Sequence, residues 1–255
     1  MQQNDTALFR WTDIAAGFAL LSRLPLRASD AALSRGARAA WSWPLVGAAL
    51  GGLAGLAAVV LLGLGLPASM AAGVCLAMTV VMTGALHEDG LADTADGFWG
   101  GWEAARRLEI MKDSHIGSYG VIALILSLGL RWLALTLLFE AGLALPALIA
   151  VGALSRAVMP ALMHALPAAR EGGLSRSVGR VPFDTAVLGA ALGVVLGLLG
   201  LGLVALPLAL AVVIAGFGMG ALAQAKIGGQ TGDVLGAAQQ VAEIALLCVL
   251  VTITL

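Results

Sequence analysis

An all-α fold is what this sequence predicts: a polytopic helical bundle integral to a membrane, with about seven transmembrane helices and an N-terminal helix lying at the interface. Three observations carry the prediction. The 255 residues are 60% hydrophobic and only 11% charged, where soluble domains carry about 25% charged residues. Mean hydropathy is +0.98. The apolar residues also fall into runs near the roughly 20 residues that a crossing helix needs.

The runs lie at about 43–66, 68–86, 118–139, 143–166, 185–203, 206–224 and 235–255. Pro67 in the short link after the first run and Pro146 near the start of the fourth fit helical hairpins. Many of the 34 glycines, as in GALGGLAGLAAVVLLGLGL, read as sites of close helix packing in lipid. The N-terminus lacks the basic start, apolar core and cleavage site of a secretory signal and is expected to be retained. Its apolar positions Leu8, Phe9, Ile14, Phe18, Leu20 and Leu21 are interrupted by Arg10, Asp13 and Arg23, which suits a helix in the interface plane. Residues 1–255 read as one membrane-embedded unit with no repeat and no soluble domain.

Seven crossings sort the basic residues by side. Arg10, Arg23, Arg27, Arg35, Arg38, Arg106, Arg107, Lys112, Arg170, Arg176, Arg180 and Lys226 share one side, which the preference of Lys and Arg for short inner loops makes cytoplasmic. The loops at 87–117, 167–184 and 225–234 then open onto one compartment. Arg131 and Arg156 remain inside predicted spans, where an arginine costs about 2.5–3.5 kcal/mol at a helix centre and calls for a partner, a cavity or a nearby interface. The near-neutral balance, net −1, gives no sign of a nucleic-acid partner. Cys75 and Cys248 lie far apart in apolar runs and form neither a disulfide framework nor a zinc motif.

Against this background HEDGLADTADGFWGG, residues 87–101, stands out. On a helix Asp89, Asp93 and Asp96 share one face, with Glu88 to the side. At about 6 Å two such charges repel by roughly 3 kcal/mol at an effective dielectric of 20, so the stripe calls for a cation. Carboxylates without clustered Cys or His favour hard ions, Mg²⁺ first, with Mn²⁺ able to substitute. A solvated acidic face is the bland alternative. His87 is open to three readings: ligand, base or interfacial polar residue. In ARRLEIMKDSHIGSYG, residues 105–120, Asp113 offers a further metal carboxylate, and Arg106, Arg107 and Lys112 are available for phosphate. Glu109 and these cations could equally pair among themselves. Carboxylates for a divalent ion beside cations for phosphate oxygens make the two halves of a phosphoryl-transfer site. Arg176 and Arg180 could supplement it. So could Gly229, Gly232 and Asp233, since glycines let backbone N–H groups approach a phosphate at a helix start; Asp233 could instead only cap the last helix.

HEDGLADTADGFWGG followed by RRLEIMKDSHIGSYG, with GGQTGDVLGAAQQ near the C-terminus and a weaker LLSRLPL near the start, resembles the cobalamin synthase family, adenosylcobinamide-GDP ribazoletransferase. The resemblance implies a single membrane-embedded catalytic domain in the bacterial inner membrane, its active site facing the cytoplasm. It further implies Mg²⁺-dependent transfer of adenosylcobinamide phosphate from adenosylcobinamide-GDP to α-ribazole or α-ribazole 5′-phosphate, with release of GMP. On this reading Asp89, Asp93, Asp96 and Asp113 bind metal, and His87, Glu88 and Asp96 are catalytic, with His87 or Glu88 taking the hydroxyl proton. Arg106, Arg107, Lys112, Arg176 and Arg180 steady phosphates. Partners are the two substrates and the bilayer; homo-oligomerisation is left open. The family also looks chemically like the CDP-alcohol phosphotransferases, although Ala92-Asp93 stands where their motif has Ala-Arg. A transporter is the rival class, but transport sites gather ionisable groups near the midplane.

Overall fold

Backbone N–H and C=O groups in lipid are satisfied only within helices or closed barrels, and each apolar run is helical in the computed structural model, which describes residues 7–255. The reading of the extreme N-terminus as a retained segment rests partly on residues 1–6, outside the described residues. Helices α1 (Thr12–Leu21) and α2 (Asp30–Leu33) precede a 3-10 stretch, Gly36–Ser42, that runs directly into α3 (Trp43–Gly63). Then come α4 (Ala68–Thr83), α5 (Leu86–Gly100), α6 (Ala104–Ile110), α7 (Ser118–Glu140), α8 (Ala144–Ala165) and α9 (Leu174–Val178). The last three are α10 (Phe183–Leu201), α11 (Ala205–Ile227) and α12 (Gly232–Thr254). No strand occurs among the described residues; an isolated parallel bridge joins Ala168 and Gln230.

Helix α1 has ten residues, about 15 Å at 1.5 Å per residue, too short for a hydrocarbon core of about 30 Å. It is anchored through Asp13, which is fully buried and accepts hydrogen bonds from Trp41 Nε1 at 2.7 Å and Arg35 Nη2 at 3.0 Å.

Among the described residues, length and apolarity qualify five segments as crossings, or six when α4 and α5 count as one bent span, against the seven expected. Two features account for the difference. Residues 183–227 qualify as one run, but Gly202 breaks it. Gly193 and Gly197 of α10 meet Ala157 and Leu154 of α8, whereas Gly216 and Gly220 of α11 meet Val158 and Leu162, so the two helices pass α8 in opposite senses. The run at 68–86 ends early. Gly84 and Ala85 both adopt the left-handed conformation, φ +66° and +58°, and turn α5 by 86° from α4. A left-handed alanine is disfavoured by its Cβ. The segment after α1 supports the break: Arg23 N–H donates to Met82 O at 2.7 Å and the Arg23 side chain covers Gly84.

Helix α8 forms the centre of the bundle, enclosed by α3, α10, α11 and α12. Gly47 of α3 and Gly152 of α8 meet backbone to backbone, leaving no room for a Cβ on either. Leu50, Leu154, Leu246 and Leu250 are buried between these helices, while Val60, Ile125, Leu210, Val213 and Phe217 face outward.

Candidate active site

Helix α5 was expected to begin a cytoplasmic loop; instead it packs inside the bundle against α7 and α12. Its glycines explain how. A Cβ on Gly90 would lie 2.7 Å from the Asp233 carbonyl oxygen, and one on Gly236 would lie 3.2 Å from His87 Cα. Without side chains at these positions α5 and α12 approach backbone to backbone, and Asp89 and Asp93 come alongside Asp233.

The shared face of the acidic stripe is thereby divided. Asp93 is half-buried and senses the negative charges of Asp89, Asp233 and Asp96, with Arg170 as the opposing positive charge. Arg170 Nη2 lies 3.1 Å from Asp233 Oδ2, and Thr231 Oγ1 donates to the same oxygen at 3.3 Å. The Asp89 and Asp93 carboxylates accept no hydrogen bond from the described residues. Asp89, Asp233, Arg170 and His87 line a cavity of about 110 Å³, with Leu20 and Leu21 of α1 in its wall. His87 is buried and its Nε2 has no hydrogen-bond partner; Arg170 Nη1 is likewise buried and unpaired. Among the described residues no three carboxylate, imidazole or thiol groups converge closely enough to enclose a metal ion by themselves.

Asp96 and Asp113 are not joined to this cluster as ligands. The buried Asp96 carboxylate accepts from Gly117 N–H at 2.7 Å and Gly120 N–H at 2.9 Å. It satisfies donors at the start of α7, where backbone N–H groups lack helical partners. Asp113 lies on the exposed α6–α7 connection and pairs with His115 Nδ1 at 2.6 Å. That hydrogen bond holds the Asp113 carboxyl below its ordinary range and raises the His115 imidazole above its own.

The expected phosphate contacts also separate. Arg106 is exposed and pairs with Glu109 at 2.7 Å, three residues on in α6. Arg107 ties α6 to its surroundings by donating to Gly101 O at 2.9 Å and Lys226 O at 2.8 Å. Lys112 is exposed. Arg176 and Arg180 line a different cavity of about 320 Å³, which shares Met163 and Ser175 with the acidic one. There Arg180 donates to His164 O at 3.1 Å and buried Ser175 donates to Gln230 Oε1 at 2.7 Å. Gly229 serves packing, since a Cβ would strike the Pro167 carbonyl. Gly232 lines the acidic cavity. Asp233 does not cap α12: Thr231 does, accepting from Val234 N–H at 3.3 Å.

Glu88 is withdrawn from the cavity into a buried ion pair with Arg131 at 2.8 Å. Arg131, for which the sequence suggested no partner, also pairs with Glu243 at 2.8 Å. Arg170 and Glu243 were missed as functional candidates. Arg170 had counted only toward the basic side of the membrane, whereas Glu243, an acid inside the last apolar run, was the natural counter-charge for Arg131.

The family model for cobalamin-5-phosphate synthase matches residues 13–251. The adenosylcobinamide-GDP ribazoletransferase of Brucella canis is 46% identical over 252 residues, covering 94% of this chain and 96% of the relative. That of Mesorhizobium japonicum is 46% identical over 239 residues, covering 93% and 92%. No solved structure matches the chain. A match that runs from α1 into the last turn of α12, and so takes in every helix contributing to the acidic cavity, means that this chain belongs to the cobalamin-5-phosphate synthase family.

Proposed function

We propose that this chain transfers adenosylcobinamide phosphate from adenosylcobinamide-GDP to α-ribazole or its 5′-phosphate, releasing GMP, in the final steps of cobalamin biosynthesis. The observation carrying this reading is 46% identity along 94% of the chain to a protein of that activity. The geometry supports it with an acidic cluster beside an arginine and, across a shared wall, a cavity lined by two more arginines.

Asp89, Asp93 and Asp233 are the residues that would hold Mg²⁺, with Mn²⁺ able to substitute. Their oxygens are hard donors, and the Asp89 and Asp93 carboxylates accept no competing hydrogen bond from the described residues. The lack of a closed protein cage suits Mg²⁺, which is commonly held by one or two carboxylates together with substrate phosphates. When bound, the ion supplies neutralisation of the charge on the departing GMP. Arg170, with one buried nitrogen unpaired, offers a donor to a diphosphate oxygen. The ribazole 3′-hydroxyl oxygen attacks the phosphorus nearer the cobinamide, and the bond to GMP breaks. His87 Nε2, unpartnered in the wall of this cavity, receives the hydroxyl proton. Arg176 and Arg180 steady anionic oxygens farther from the reacting bond. The site is assigned to the cytoplasmic face of the inner membrane, a reading supported by the clustering of basic residues on that side.

Incubation of the purified protein with adenosylcobinamide-GDP and α-ribazole is expected to release GMP with Mg²⁺ and to stop in excess EDTA. Turnover of CDP-diacylglycerol instead, or undiminished release in EDTA, would overturn the substrate or the metal assignment respectively.

A further inference from the structure

Two arginines and two glutamates meet in the interior of the bundle, next to His87. Arg131, 2% exposed, lies near the middle of α7. Its Nη1 donates to Glu88 Oε1 and to Gln240 Oε1, both at 2.8 Å, and its Nε donates to Glu243 Oε1 at 3.0 Å. Gln240 Nε2 donates back to Glu88 Oε1 at 3.2 Å. Gln239 Nε2 bridges Glu243 Oε2 at 2.6 Å and Ser155 Oγ at 3.0 Å. Arg156, also buried, donates to Gly152 O at 3.2 Å. Arg156, Glu88 and His87 line a chamber of about 30 Å³, and each has a buried nitrogen or oxygen without a protein partner.

Stability does not account for this arrangement. Buried ion pairs are often no better than well-packed apolar side chains of similar volume, and arginine at mid-membrane depth is costly to insert. What the network does uniquely is geometric. Arg131 holds one carboxylate from α5 and one from α12 with a single planar fork, whose donor directions are fixed. Glu88 directly precedes Asp89. Gln240 lies one turn beyond Gly236, the residue packed on His87. A slip or rotation of α5 on α12 would break the fork and also change how Asp89 and Asp93 face Asp233.

We propose that Arg131 is a positioning residue: through Glu88 and Glu243 it sets the register of α5 on α12, and so the spacing of the carboxylates in the acidic cavity. The catalytic consequence rests on the function proposed above; the structural one does not. The test is the double variant Arg131→Gln/Glu88→Gln, which removes one charge of each sign and leaves Arg156 and Glu243 balanced. Expected are a thermal midpoint close to that of the unaltered protein, a fall in kcat of at least about 30-fold, and KM for adenosylcobinamide-GDP within about twofold. Hydrogen exchange of the α5 amides should quicken while that of α3 and α8 is unchanged. The proposal is overturned if kcat stays within twofold of the unaltered protein, or if α5 exchange does not change. Should the double variant not fold, Arg131→Lys carries the same test, since it keeps the charge and loses the fork; full turnover with unchanged α5 exchange would then refute the proposal. If the unaltered protein releases no GMP, the function reading fails on its own and the exchange measurement still decides the register.

Discussion

The three aspartates of the acidic stripe are chemically identical in sequence and differ only in what surrounds them. Asp89 and Asp93 present carboxylates that accept no hydrogen bond from the described residues, whereas Asp96 is engaged by the backbone of Gly117 and Gly120. Asp89→Asn and Asp93→Asn are therefore expected to lower GMP release by more than about 100-fold, beyond the 10–100-fold typical of a metal's outer-shell partners, with thermal unfolding unchanged. Asp96→Asn should behave differently. Losing a charged acceptor for two amides costs about 1–3 kcal/mol of stability, visible as a lower unfolding midpoint, with turnover per folded molecule reduced less than tenfold. Asp113→Asn is expected to leave kcat within twofold, because Asp113 faces solvent with His115. Equal loss of activity in all four variants would restore the single stripe that the spacing alone suggests.

Glycine decides where the helices can approach. The α5–α12 contact depends on Gly90 and Gly236, and the α3–α8 contact on Gly47 and Gly152. The first pair serves the site and the second the bundle, which separates their predicted phenotypes. In Gly90→Ala the new methyl meets the Asp233 carbonyl at 2.7 Å, and a backbone atom there cannot rotate away. Helix α5 must shift outward, so kcat should fall by at least about tenfold, as sub-ångström to ångström displacement of catalytic groups does, while the protein still inserts and purifies. Gly47→Leu, which drives a side chain into α8, is expected to abolish folded yield in size-exclusion chromatography. The sequence displays Gly47, Gly152 and Gly236 within apolar runs and Gly90 within the acidic segment. It did not show which partner each would face, because nothing in a local pattern encodes the neighbour across an interface.

For the molecule as a whole, lipid sets the outer surface and charge sets the inner one. Phe217 on α11 is 79% exposed in a helix apolar enough to cross the bilayer, so Phe217→Leu should leave both thermal midpoint and kcat unchanged. A change there larger than that of Gly90→Ala would mean that this face meets protein rather than lipid. The polar interior follows the opposite rule: Arg131, Glu88 and Glu243 come from helices distant in sequence and are tolerated only because they meet. The α4–α5 break does similar work, letting a chain of apolar helices bring Asp89 and the half-buried Asp93 alongside Asp233 of α12.

Composition and run length sufficed for the all-α membrane class, and the charge-poor background singled out residues 87–101 as the candidate site. Those conclusions follow from the sequence because hydrophobicity and helical period are local properties of a chain in lipid. Which aspartates face the cavity, that Arg170 and Asp233 join them, and that Arg131 is clamped between Glu88 and Glu243 were settled only in three dimensions. Each depends on the 86° turn at Gly84–Ala85 and on the close seat of α5 against α12, and a side chain's electrostatic role is set by the charges that folding brings within a few ångströms of it.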